Sequence, residues 1–251
     1  MFAHIHAGMR RRSLPFVAAW ILAVSGCAQT ADWLNAHGVR APNDGAIDAS
    51  TVAAGLREAL DQGTGRAVQE LGRENGFWSN ATLRIPIPEN LQKVESGLRR
   101  LGQGKLADDF ARSLNRAAEQ ATPPARKIFV DAIQAMTIRD AYDILRGPPN
   151  AATTYFRRQT ETKLRSAFHP IVARSTQSVG VTAAYKKLVQ RAAPLGLVDT
   201  RSLDIDAYVT QRALDSLFYV VAEEERRIRT DPVARTTELL QKVFGPTHVV
   251  R

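Results

Sequence analysis

Cysteine and histidine are scarce in this sequence. The 251 residues contain one cysteine, Cys27, and 5 histidines, of which His37, His169 and His248 follow it. A single thiol excludes an intrachain disulfide framework and a zinc site built from several cysteines. The three histidines are too widely spaced to indicate a metal cluster or a catalytic dyad. We therefore expect no metal and no other cofactor.

Several motifs of known chemistry are missing as well. There is no Gly-x-Ser-x-Gly stretch of the kind that forms a nucleophile elbow. Gly102-Gln103-Gly104-Lys105 lacks the spacing of a phosphate-binding loop and the hydroxyl residue after its lysine. The sequence also lacks runs of alternating β-branched residues, so we predict no sheet. What remains, 44% hydrophobic and 24% charged residues, is the composition of an ordinary globular domain.

Basic residues outnumber acidic ones, giving a formal net charge of +9 at pH 7 and a sequence pI near 10.1. The basic residues are scattered along the chain, and no aromatic residues interleave with them as a base-stacking surface requires. We therefore expect no nucleic-acid partner. In an envelope protein, the anionic partners are lipid headgroups or other envelope polyanions.

Residues 1–26 have the pattern of a signal peptide. Arg10 to Arg12 form a basic stretch, and residues 14–24 are apolar except for Pro15. The apolar run is about half of the ~20 residues needed to span a bilayer. Val24-Ser25-Gly26-Cys27 resembles the bacterial lipobox, which implies diacylglyceryl transfer to the Cys27 sulfur, cleavage after Gly26 and acylation of the new amino group. The alternatives are an ordinary signal with an incidental Cys27, or a buried helix.

This N-terminal pattern predicts where the protein resides and how the chain is divided. Ala28 and Gln29 follow Cys27, with no aspartate, which by resemblance to other lipoproteins favours the periplasmic face of the outer membrane over the inner membrane. Translation starts at Met1 or at Met9, where the signal is more compact. We predict a signal peptide over 1–26, a lipidated cysteine and tether over 27–50, one helical domain over 51–245 and a tail over 246–251.

Apolar residues after position 50 recur at a helical period almost everywhere. Residues 73–88 are the exception, because Ile85-Pro86-Ile87-Pro88 cannot form a regular helix. We expect Pro170 to end one helix, with two shorter helices over 171–179 and 183–193. The predicted fold class is all-α, an irregular bundle of about nine or ten helices.

The longest predicted helix, 204–229, is the expected centre of the bundle. Residues 213–222 are apolar nearly all round, as in a helix buried on every side. Asp215 within this stretch then needs a hydrogen-bond donor, because an unpaired buried carboxylate is costly. Glu223 to Glu225 are expected to mark the emergence of the helix into solvent.

A polar stripe is the strongest candidate site. Asp108, Arg112, Asn115 and Glu119 have spacings of 4, 3 and 4 residues and share one helix face. Our preferred interpretation is a solvated face with ion pairs. The alternative is one wall of a groove, to which Arg116, Asp131 and Asp215 also contribute.

A second candidate lies at 151–157. The hydroxyls of Thr153 and Thr154 could hold an anion at a helix N-terminus. We favour a capped helix start in which Tyr155 and Phe156 pack inward, because capping needs the same residue types.

Many ordered strings resemble the bacterial family called domain of unknown function 4197 (DUF4197). The resemblance covers about 54–245, with Leu114 and Ser216 as small departures from the usual methionine and glycine. It implies a fold and an envelope location but no catalytic residues. The strings are Ile85-Pro86-Ile87-Pro88, Asn115-Arg116-Ala117-Ala118-Glu119, 129–137, 151–156, Tyr208-Val209-Thr210, 213–218, 234–237, Leu239-Leu240 and Val243-Phe244-Gly245.

Two classes of function remain open at this point. The preferred hypothesis is a non-catalytic helical module, anchored to the membrane through Cys27, that binds an envelope protein or lipid. The alternative is a periplasmic hydrolase or transferase that uses the carboxylates of Asp108, Glu119, Asp131 or Asp215. A carrier of an apolar ligand inside the bundle is a further possibility.

Overall fold

The computed structural model describes residues 48–178, 180, 182–183 and 204–244. These residues lie within the unit Ala46–Arg251. The regular secondary structure of the described part is entirely helical, which confirms the predicted all-α class. The predicted signal peptide, Cys27, most of the tether and the tail lie outside the described residues.

Seven α-helices of nine residues or more and one shorter C-terminal helix make up the described part. Two short 3₁₀ helices span Glu89–Leu91 and Pro232–Ala234. The α-helices are α1 (Ala49–Gly72), α2 (Gln92–Arg100), α3 (Gly104–Ala121), α4 (Ala125–Gln134), α5 (Ile138–Arg146), α6 (Ala151–Ser178), α7 (Ile205–Thr230) and α8 (Glu238–Phe244).

The described residues form fewer α-helices than the nine or ten that the sequence predicts. Helix α6 runs through Pro170, where the sequence predicts a break. Proline removes one hydrogen bond from a helix, but Phe168 and Val172 on either side of it are fully buried. Their burial holds the helix together across the proline. The helix predicted over 183–193 lies, except for its first residue, outside the described residues.

The core forms where α7 packs against α6, α1 and α3. Phe129 of α4 lies between Phe156 of α6 and Phe218 of α7, with ring centroids 5.3 and 6.3 Å away in edge-to-face arrangements. This geometry is the favoured one for aromatic pairs. The aromatic contacts therefore tie three helices together at the centre of the domain.

Helix α7 is not buried on every side, contrary to the prediction. Ala213, Leu214 and Leu217 are fully buried, but Arg212 is exposed and Tyr219 is 49% exposed. Glu224 and Glu225, expected in solvent, are buried instead. The helix therefore presents one open face to the surface, and that face positions the candidate site.

Candidate functional site

The predicted polar stripe of α3 divides into an exposed end and a buried end. Asp108 at the exposed end pairs with Arg99 of α2 at 2.7 Å, and Arg99 also pairs with Glu95. The hydrogen bonds that Arg99 donates to Asp108 and Glu95 raise the pKa of its guanidinium. Asp108 therefore fastens α2 to α3.

Asn115, in the same stripe, is fully buried and supports the backbone of the extended segment at 84–88. Its Oδ1 accepts from the N–H of Ile85 at 2.9 Å, and its Nδ2 donates to the Ile85 carbonyl at 2.9 Å. Nδ2 also donates to the carbonyl of Ala111. One side chain thus satisfies both backbone groups of Ile85, as a neighbouring strand would. Asn115 is a structural residue.

The other residues of the stripe, and Arg116 and Asp131 of the suggested groove, also have partners of their own. Glu119 is 2% exposed, and Arg116 Nη1 lies 3.1 Å from its carboxylate. The Arg112 guanidinium lies 4.5 Å from the ring centroid of Trp78. Asp131 pairs with Lys127 one turn earlier on α4. Neither the solvated face nor the single groove describes this arrangement, since Asn115 and Glu119 are buried.

The four carboxylates suggested for catalysis do not form one site. Asp108 and Glu119 lie 11 residues apart on one continuous helix, which separates them by about 16 Å. Asp131 lies on α4 and forms an ion pair within that helix. Asp215 lies on α7 and pairs with Arg157 of α6 at 3.5 Å.

Asp215 belongs instead to a groove along the open face of α7. Its carboxylate is 45% exposed and accepts a hydrogen bond from Gln211 at 3.1 Å. It therefore has the donor that the sequence predicts, although it is not deeply buried. Asp215 and Tyr219 both line two adjoining depressions, which together we call the α7 groove.

The first depression lies between α7 and residues 82–86 and has a volume of about 220 Å³. The second lies between α7 and the start of α6 and has a volume of about 400 Å³. Small-molecule pockets typically measure about 300–1,000 Å³, so the second depression is within that range and the first is smaller. The first is lined by Thr82, Leu83, Arg84, Ile85, Pro86, Arg212, Asp215, Ser216 and Tyr219, and the second by Asn150, Thr153, Thr154, Arg157, Asp215, Phe218, Tyr219 and Ala222.

The start of α6 already holds an anion supplied by the chain itself. The Glu225 carboxylate accepts hydrogen bonds from the backbone N–H groups of Ala152 and Thr153 at 3.0 and 2.9 Å. It also accepts one from the Thr153 hydroxyl at 2.8 Å. A carboxylate is favoured there by the unpaired N–H groups and the helix dipole. A capped helix start is thus confirmed, but the anion is Glu225, which the sequence analysis missed.

A local pattern could not have identified Glu225, because it lies more than 70 residues from the helix that it caps. The available signal was weak: three consecutive glutamates next to a strongly apolar stretch, with Arg229 four residues after Glu225.

Within residues 48–178, 180, 182–183 and 204–244 there is no grouping of His, Cys, Asp and Glu suited to a metal. No helix in that same part of the chain is long and apolar enough to cross a bilayer.

Comparison with known proteins yields one match. The family model described as "Protein of unknown function (DUF4197)" matches residues 46–245. No curated protein and no solved structure is significantly similar to the chain.

Proposed function

The chain belongs to the DUF4197 family of proteins of unknown function, and on that premise we propose that it is a lipoprotein of the cell envelope whose helical domain binds an envelope component in the α7 groove. Two features support the proposal: the lipobox-like sequence ending at Cys27 and the open face of α7. The lipid on Cys27 would anchor the chain to the periplasmic face of the outer membrane. The inner membrane is the second possible location.

The observation that carries the binding role is the exposure of Tyr219 at the middle of the groove. A tyrosine that is 49% exposed, in the mostly apolar stretch 213–222 of α7, presents a large ring surface to a partner. The α7 side chains on either side of it, Asp215 and Ala222, are also partly accessible. A groove that is lined by an exposed aromatic ring and by polar side chains is typical of a recognition surface.

The hydrolase alternative has less support from the geometry. A carboxylate pair that shares one small substrate must converge on it. Asp108, Glu119, Asp131 and Asp215 each have their own cationic partner, and only Asp215 lines the groove.

The apolar-carrier alternative also finds little support. Among the residues that the structure describes, one mostly apolar cavity between α1, α6, α7 and α8 has a volume of about 20 Å³, room for about one water molecule. A groove on the surface therefore accounts for the structure better than a ligand held inside the bundle.

Photocrosslinking in intact cells tests the proposal. A benzophenone amino acid replaces Tyr219 in the full chain, and in a matched variant it replaces Lys127, whose side chain is 82% exposed on α4. We expect a discrete adduct with one envelope component from position 219 and none from position 127. The same adducts from both positions, or none from position 219, would contradict a binding role for the groove.

A further inference from the structure

Two arginines in the first depression have no carboxylate partner among the residues that the structure describes. Arg84 lies on the extended segment, and its Nε donates to the Trp78 carbonyl at 2.8 Å. Arg212 lies on the open face of α7, and its side chain makes no hydrogen bond within the described part of the chain. Both line the same space of about 220 Å³, so one small ligand can contact both.

Aromatic rings hold both guanidinium groups in place. The Arg84 guanidinium lies 4.5 Å from the Trp78 ring centroid, and that of Arg212 lies 5.4 Å from the Tyr208 ring centroid. Stacking of this kind fixes a guanidinium while its terminal N–H groups remain free to donate. Tyr208 is fixed in turn by a hydrogen bond from its hydroxyl to the Pro86 carbonyl.

The local charge at this end of the groove is positive. Asp215 is the single acidic residue among those lining the two depressions, and it already contacts Gln211 and Arg157. Arg112 lies over the same Trp78 ring as Arg84, also at 4.5 Å from the centroid, although it does not line the depression itself. Clustered like charges repel one another, and a bound anion relieves that repulsion.

From these observations we propose that the first depression of the α7 groove binds a phosphate group through Arg84 and Arg212. Where the phosphate carries an organic group, Tyr219 packs against that group. This inference rests on the proposed binding role of the groove. Guanidinium groups donate to phosphate in pairs of parallel hydrogen bonds. A tetrahedral phosphate has enough oxygens to accept from two guanidinium groups that approach from different elements, a loop and a helix. The phosphate is either that of a lipid headgroup or a free phosphate ion.

Isothermal titration calorimetry on the full chain in a non-ionic detergent tests this site. The probes are inorganic phosphate, the soluble headgroup diester glycerophosphoglycerol, and glycerol as the uncharged control. We expect saturable binding of a phosphate-bearing probe and none of glycerol. Tighter binding of the diester would identify a lipid headgroup as the source, and tighter binding of inorganic phosphate would identify the free ion.

Charge-matched variants separate the site from the general positive charge of the protein. Arg84→Gln/Arg212→Gln should lower the affinity at least tenfold. The control, Arg146→Gln/Arg158→Gln, removes two arginines that also lie over tyrosine rings, at 5.3 and 5.9 Å, but outside the groove. Its affinity should stay within twofold of wild type. Arg212→Gln alone, an exposed change that breaks no hydrogen bond of the described residues, should cost several-fold without altering the thermal melt.

Equal losses in the two double variants, or no saturable phosphate binding by wild type, would overturn the phosphate site. The proposed function is tested separately, because crosslinking from position 219 does not require a phosphate. A discrete adduct at position 219 without phosphate binding would leave the binding role standing and remove this inference alone.

Discussion

The carboxylate of Glu225 and the guanidinium of Arg229, 3.0 Å apart and both largely buried, connect the ends of two other helices. Glu225 accepts from the backbone at the start of α6. Arg229 donates to the Ile144 carbonyl at the end of α5 at 2.8 Å. Each charge thus lies at the helix end whose dipole favours it, and the pair fixes the turn between α5 and α6 against α7.

Removal of the Glu225 charge should destabilise the domain strongly. In Glu225→Gln, Arg229 loses its carboxylate and two backbone N–H groups lose a charged acceptor, so we expect the free energy of unfolding to fall by about 3 kcal/mol. Urea unfolding followed by circular dichroism measures the change. The matched control is Glu223→Gln, on the same helix, where the carboxylate pairs with Arg226 at the surface. If both variants unfold at the wild-type urea midpoint, the buried pair has no structural role.

The amide of Asn115 should be essential for the extended segment at 84–88. Asn115→Leu keeps the branching at Cγ but leaves the N–H and carbonyl of Ile85 without their partner. We expect a loss of about 3 kcal/mol in the free energy of unfolding. Amide hydrogen exchange should also show faster exchange at Ile85. Gln120→Leu, an exposed change on the same helix, is the control. Slow exchange at Ile85 in Asn115→Leu would show that another group protects this N–H.

Gly76 lies in a position where no side chain fits. A Cβ built there would lie 2.3 Å from the carbonyl oxygen of Glu70 and 2.8 Å from that of Leu71, both backbone atoms. Gly76→Ala should therefore lower the free energy of unfolding by about 2 kcal/mol or more. Gly97→Ala is the control, since a Cβ at this helical position meets nothing within 4 Å. It should raise the helix propensity and stabilise by up to about 1 kcal/mol. The same sign of change in both variants would contradict this prediction.

The capping box of α5 should make part of the stability depend on pH. Thr137 accepts from the N–H of Asp140 and donates its own N–H to the Asp140 carboxylate, both at 3.0 Å. Hydrogen bonds from the Thr137 side chain and backbone lower the pKa of Asp140. The stabilisation is therefore complete above the usual pKa of aspartate and is lost as the pH falls through the lowered value.

Thr137→Ala tests this coupling. We expect the pKa of Asp140 to return towards its usual range and the free energy of unfolding at neutral pH to fall by about 1 kcal/mol. The difference from wild type should narrow as the solution is acidified. Carboxyl NMR titration and urea unfolding at several pH values measure the two effects, with Ser96→Ala on α2 as an exposed control. An Asp140 titration that does not change in Thr137→Ala would contradict the coupling.

Cys27 should determine where the protein resides. Under the proposed lipoprotein function, metabolic labelling with a fatty acid marks the wild-type chain in the outer-membrane fraction, whereas Cys27→Ala abolishes the label because the acceptor sulfur is gone. Unlabelled wild-type protein that retains its first 26 residues in the cytosol would contradict the proposed location and reopen nucleic acid as a partner for a chain of net charge +9.

Several features of the fold follow from the local sequence alone. The helical period of the apolar residues determines the all-α class. Prolines prevent Ile85-Pro86-Ile87-Pro88 from forming a regular helix, as observed. Such signals act within one or two helical turns. A hydrophobic period, a helix cap or a proline therefore has the same local effect in any tertiary structure. The resemblance to the DUF4197 family is likewise visible in the sequence alone, and the family model matches residues 46–245.

Tertiary structure decided what those signals leave open. It kept α6 continuous through Pro170, because burial of Phe168 and Val172 outweighs one lost hydrogen bond. It left Tyr219 exposed, since the burial of a helix face depends on which elements reach it. It also brought Glu225 to the start of α6. Buried charges and backbone groups bond to whatever lies near them in space, regardless of distance along the chain.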